Sequence, residues 1–168
     1  MDGFAGRGRY ADGSPGSAEL ILEAIQGLKD SRTVAAFFAE TDPDNFRALE
    51  SVVGEYAEQG LLAWALRGAA EDRLGGVLAA AQGLPLFLFL DPCGAMLPFR
   101  QIARVLSVDR RGNRPPTEVL LNFSAEFTRR TAGQLVKGRP IQPASIGWTR
   151  LAVAPGGVGS GFDPLAPT

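Results

Sequence analysis

The chain reads as an α/β protein built on a parallel sheet with helices on both faces. Short apolar segments rich in Val, Phe and Leu alternate with segments of helical spacing. Each apolar segment stops at a polar or turn residue, and the rhythm holds to about residue 133. Strands that alternate with helices are joined by crossovers, which makes the sheet parallel and places a ligand at the carboxyl ends of its strands.

The elements follow in order. Residues 17–28 are expected to form a helix, with Gly16 and Ser17 at its start and Ile21, Ala24, Ile25 and Leu28 on one face. Residues 33–39 form a first strand. A second helix covers 43–59: Asp42 is a good N-cap, Pro43 suits the first helical position, Phe46, Leu49, Val53 and Tyr56 make a stripe, and Gly60 stops it. Residues 63–66 form another strand, and 72–82 a helix weakened by Gly75 and Gly76. The most apolar strand is 84–90. A helix over 98–106 aligns Phe99, Ile102 and Leu106, a strand covers 118–123, and a short helix capped by Ser124 covers 125–131. Residues 134–168 carry a Gly or Pro in every candidate element and read as an irregular tail, so the regular domain is residues 1–133.

Composition narrows the function classes. At 168 residues and 45% hydrophobic content the chain has one domain's worth of core. Lys and Arg number 17 against 18 for Asp and Glu, so the chain as a whole has no positive excess with which to hold nucleic acid. The lone cysteine, Cys93, allows no internal disulfide, and the lack of histidine argues against zinc and Ser-His-Asp chemistry. The apolar run 84–90 is far shorter than the roughly 20 residues that cross a bilayer. With no signal peptide before Met1, a cytoplasmic location is expected.

Three constellations carry chemistry. Asp2-Gly3-Phe4-Ala5-Gly6-Arg7-Gly8 stands just before the first helix, where glycines let the backbone turn tightly and approach a ligand, and free amides suit a carboxylate or phosphate. This fits the methionine end of S-adenosylmethionine; a tight turn with no ligand is the plainer reading. Glu40 closes the next strand, where an acidic residue accepts both ribose hydroxyls, or else simply ends a strand. Asp91-Pro92-Cys93-Gly94 follows the most apolar strand and offers an acceptor over a cofactor's methyl group, which suits an exocyclic amine. Asp91 as a helix cap is its structural alternative. Cys93 as the thiolate of a cytosine-C5 methyltransferase is another, although nothing nearby lowers its pKa, and a small buried cysteine is the simpler reading.

Together these segments resemble the three-Cys-motif partner (TcmP) proteins. The pattern covers Asp2 to Tyr10, Gly16-Ser17, Phe37-Phe38-Ala39-Glu40, Asp91 to Gly94, and Thr117 through Ser124 with Arg130. The resemblance implies a class I methyltransferase-like Rossmann sheet and association with another protein and leaves the reaction open, while S-adenosylmethionine is the cofactor expected of the site. Within it Asp2, Gly3, Phe4, Gly6, Gly8 and Glu40 hold the cofactor, and Asp91, Pro92, Cys93 and Gly94 face the acceptor. The Asp-Pro-x-Gly element also resembles that of tRNA guanine-N2 dimethyltransferases. Cys93 departs from the usual Tyr or Phe and removes a stacking ring. Ala69 and Ala70 stand where an acidic residue often meets the adenine amine, leaving Glu71 or Asp72 as substitutes.

In such a fold the strand before the glycine loop is central, yet only Met1 precedes Asp2. The sheet is therefore expected to be incomplete at the N-terminus, with two strand edges unpaired and the natural gene starting upstream. If Trp148 and the residues after it are read one frame over with GC-rich codon choices, a segment similar to the family's Leu-Asp…Gly-Gly-x-Trp-Trp is expected. Two functions stay open: methyl transfer to an amine of an unknown substrate, and a non-enzymatic partner protein that retains the fold. Arg100, Arg104, Arg110, Arg111 and Arg114 form the one local patch able to contact nucleic acid phosphates, or else a solvated loop.

Overall fold

The computed structural model describes residues 1–92, 102, 103, 105, 106 and 116–122. Within them the order is α1 (Ser17–Leu28), β1 (Ala35–Glu40), α2 (Pro43–Glu58), β2 (Leu62–Arg67), α3 (Ala70–Ala80), β3 (Leu86–Leu90) and β4 (Thr117–Leu121). β1 pairs in parallel with β2, and β3 with β4. Asp2 bridges in parallel to Phe38 on one side and Phe89 on the other. The strand order is therefore β2, β1, residues 1–3, β3, β4.

Residues 1–3 fill the central position. The Asp2 amide donates to Phe37 O at 2.8 Å, the Ala39 amide to Asp2 O at 2.9 Å, the Phe89 amide to Met1 O at 2.8 Å and the Gly3 amide to Phe89 O at 3.0 Å. The edges of β1 and β3 expected to stay unpaired are thus paired through their carboxyl-terminal halves. Each bond satisfies a buried backbone group that would otherwise cost about 1–3 kcal/mol.

Alternation along β1 builds a core on each face. Phe37 and Ala39 point toward α3 and pack with Leu74, Val77, Leu86, Leu88 and Leu90, together with Ile102 and Val105. Ala36 and Phe38 point the other way, toward Leu22 of α1 and Leu49, Val52 and Val53 of α2. Phe37 also stacks on its register partner Trp64, with ring centroids 5.0 Å apart.

Helix starts and faces differ from expectation in three places. On α1, Ala18, Glu19 and Leu22 are buried, whereas Ala24 and Leu28 of the expected stripe are exposed. Burial of Glu19 is possible because Arg9 pairs with it. α3 begins two residues before the expected 72, at Ala70, with Ala69 as an N-cap that makes no side-chain hydrogen bond. Its first-turn carboxylates, Glu71 and Asp72, favour the positive end of the helix instead. In the 98–106 segment Ile102, Ala103, Val105 and Leu106 are helical, and Val105 rather than Leu106 is buried, Leu106 being 55% exposed.

α2 follows its expected signals. The Asp42 carboxylate accepts from the Asp44 and Asn45 amides, Pro43 opens the helix, and Gly60 ends it at a φ of 90°. β3 starts at Leu86 rather than 84, since Leu84 closes a turn onto Ala81 O and Pro85 has no amide to give a ladder. No helix among the described residues is long and apolar enough to cross a membrane. The expected helix at 125–131, the tail 134–168 and its frame reading lie outside the described residues.

Candidate functional site

The carboxyl edge of the sheet gathers the acidic residues singled out above. Asp2 and Gly3 end the central segment, Glu40 ends β1 on one flank, and Asp91 follows β3 on the other. Parallel strands bring their carboxyl ends to one edge, so residues far apart in sequence converge there.

Asp2 is 2% exposed, and both its oxygens are engaged. Oδ1 accepts from the Phe4 amide at 3.0 Å and Oδ2 from the Ser17 hydroxyl at 2.8 Å. Burial pushes its carboxyl above the usual range, and the nearby Asp91 charge adds to that; the Phe4 and Ser17 bonds and the Met1 ammonium oppose it. Burial likewise pushes the Met1 amine down to about 6, against the attraction of Asp2. Gly16 and Ser17 start α1 as expected, Gly16 as N-cap and Ser17 as first residue, and the Ser17 hydroxyl turns back to Asp2.

The glycine loop is shaped by contacts that admit no side chain. A Cβ on Gly3 would sit 2.8 Å from Leu90 Cδ2, and one on Gly16 would sit 2.7 Å from Gly8 O. The Gly16 amide donates to that same oxygen at 2.7 Å, which closes the loop over residues 8–16. Gly6 and Gly8 take φ values of 60° and 77°, which favour glycine. Gly6 differs from the others, because nothing lies within 4 Å of where its Cβ would be. Phe4 is half-buried and packs against the core beneath α3.

Arg9 fastens the loop to two helices. Its Nε donates to Glu19 Oε2 at 2.9 Å, its Nη2 also binds Glu19 Oε1, and Nη2 reaches Glu55 Oε2 of α2 at 3.0 Å. These bonds to Glu19 and then Glu55 raise the guanidinium's proton affinity further.

Glu40 is half-buried, and its Oε1 accepts from the Asp42 amide at 2.7 Å. No hydrogen bond to its Oε2 is present among the described residues. Asp91 Oδ1 accepts from the Asn122 side-chain amide at 2.7 Å. Pro92 is half-buried beside it. Cys93 and Gly94, and the arginines at 100, 104, 110, 111 and 114, lie outside the described residues.

Sequence reasoning placed the three strand-end acids but missed the partners that orient two of them, Ser17 and Asn122. The signal for Asn122 was its position, a polar residue directly after an apolar strand, as Asp91 is. No protein-family model matches the chain, and no curated protein or solved structure matches it.

Proposed function

We propose that the chain is a class I methyltransferase-like protein that binds S-adenosylmethionine and directs its methyl group to an amine. The observation that carries this reading is the convergence of the glycine loop, Glu40 and Asp91 on one edge of a parallel sheet, with the loop between its two acidic flanks. The strand order, β2-β1-centre-β3-β4, agrees with a doubly wound sheet whose direction of winding reverses at the centre.

The residues present fit the cofactor. Gly6, with open space where its Cβ would stand, leaves room for a ligand against the backbone, and Gly3 and Gly8 hold the loop close to the core. Asp2, with both oxygens turned inward, acts as the loop's internal brace. Glu40 would take the ribose hydroxyls through its carboxylate, and Asp91 would hold the acceptor nitrogen. When bound, S-adenosylmethionine supplies a methyl group that passes to nitrogen as sulfur keeps the bonding pair and the nitrogen sheds a proton. Asp91 orients that nitrogen and can receive the proton, so holding the reactants in line needs no histidine.

Calorimetry with S-adenosylmethionine on the full chain tests the reading. Binding is expected, and Glu40→Ala should weaken it by about 1.5–3 kcal/mol for each charged hydrogen bond lost. Glu40→Gln keeps an acceptor for the Asp42 amide and separates ribose binding from the support of α2. Absence of binding by the unaltered chain would instead favour a non-enzymatic partner protein that retains the fold.

A further inference from the structure

The last register pair of β3 and β4 is Leu90 with Leu121, and the next residue on each strand is Asp91 or Asn122. The Asn122 backbone amide donates to Leu90 O at 2.9 Å, which continues the ladder one step past that pair. From there its side-chain amide reaches Asp91 Oδ1 at 2.7 Å. A carboxylate at a strand end otherwise moves among several staggered rotamers. One short bond from a neighbour whose own backbone is pinned removes that freedom before any ligand arrives.

The geometry points to Asn122 as the positioning residue of the acceptor site: it occupies Asp91 Oδ1 so that Oδ2 is held ready for the N–H of an incoming amine. The inference rests on the function proposed above. The Asn122 side chain turns its nitrogen to Asp91 Oδ1, so that bond leaves Oδ2 for the acceptor nitrogen. Asn122 does its work through Asp91, and cofactor affinity should not depend on it.

Sinefungin and S-adenosylhomocysteine separate these roles without a known acceptor, since sinefungin carries a primary amine where the cofactor carries its methyl group. Both are titrated calorimetrically into the full chain and into Asn122→Ala and Asn122→Leu, with circular dichroism confirming the fold of these exposed-site variants. The unaltered chain is expected to prefer sinefungin. Both variants should reduce that preference about tenfold, the loss of one hydrogen bond to a charged group, and keep their S-adenosylhomocysteine affinity. A preference unchanged in both variants overturns the inference alone, and so does a loss confined to S-adenosylhomocysteine. If the unaltered chain binds neither compound, the proposed function fails and takes this inference with it.

Discussion

The Ser17 hydroxyl donates to Asp2 Oδ2 at 2.8 Å and ties the first residue of α1 to the centre of the sheet. This bond and the Phe4 amide support a buried carboxylate that folding still disfavours, because burial outweighs both and raises the proton affinity above the usual 3.8. The sign follows from linkage. Below 3.8 the folded and unfolded chains are both protonated at Asp2 and the group makes no difference. As pH rises above that value the unfolded chain loses the proton first, so stability falls until the folded carboxyl has also ionised, by about 1.4 kcal/mol for each tenfold difference in proton affinity. Asp2→Asn keeps an acceptor for Phe4 and removes the charge. Its stability relative to the parent, measured by denaturant titration, should increase as pH rises through that window; parallel curves for the two proteins would refute the burial cost.

Arg9 gives a prediction of relative order. Glu19 is buried on α1 and its carboxylate depends on Arg9, whereas Arg9 is partly open to solvent and also reaches Glu55. Removing the cation strands a buried charge, while removing both members leaves an apolar contact. Arg9→Met should therefore lower the melting temperature more than the double variant Arg9→Met/Glu19→Met does. The reverse order in thermal melts would show that Glu19 is not left as a stranded buried charge when Arg9 is removed.

Two glycines should respond oppositely to alanine. Gly16→Ala drives a methyl to 2.7 Å from Gly8 O, a backbone atom that cannot move aside, and should displace the glycine loop and destabilise the fold. Gly54 lies inside α2 with nothing within 4 Å of its Cβ position, so Gly54→Ala should stabilise by about 0.5–1 kcal/mol. Chemical denaturation of both variants checks the pair, and a destabilised Gly54→Ala would contradict the open space seen there.

Much of this architecture was legible because its signals are local. Asp42, Pro43 and Gly60 mark α2 with capping chemistry that acts within one turn. The inner face of α1 was misread because apolar spacing takes no account of an acid such as Glu19, which is buried only by virtue of Arg9, 10 residues earlier. α3 hid its start for a related reason: Ala69 caps without a side-chain bond. At the site, Glu40 and Asp91 were visible as acids at the ends of apolar strands and Asp2 through the glycine pattern it opens. Their partners were not, since Ser17 meets Asp2 across 15 residues and Asn122 meets Asp91 across 31, distances that only the folded sheet closes.

The central segment gives the sheet a seam. Among the described residues, every backbone hydrogen bond between the β1·β2 half and the β3·β4 half runs through residues 1–3. The core under α3 spans both halves, but the core under α1 and α2 lies against β1 and β2 and leaves Phe87 on β3 49% exposed. Among the described residues the halves are thus laced by a few stitches and share a core on one side only, which makes them separable cooperative units. In native-state hydrogen exchange the amides of Asp2, Gly3, Ala39 and Phe89 should open together, at a lower free energy than the ladder between β1 and β2. Because the proposed cofactor loop hangs from this seam, a ligand that bridges Glu40 and Asp91 would act as an extra stitch and slow the exchange of all four; four unrelated rates would mean that the sheet opens elsewhere first.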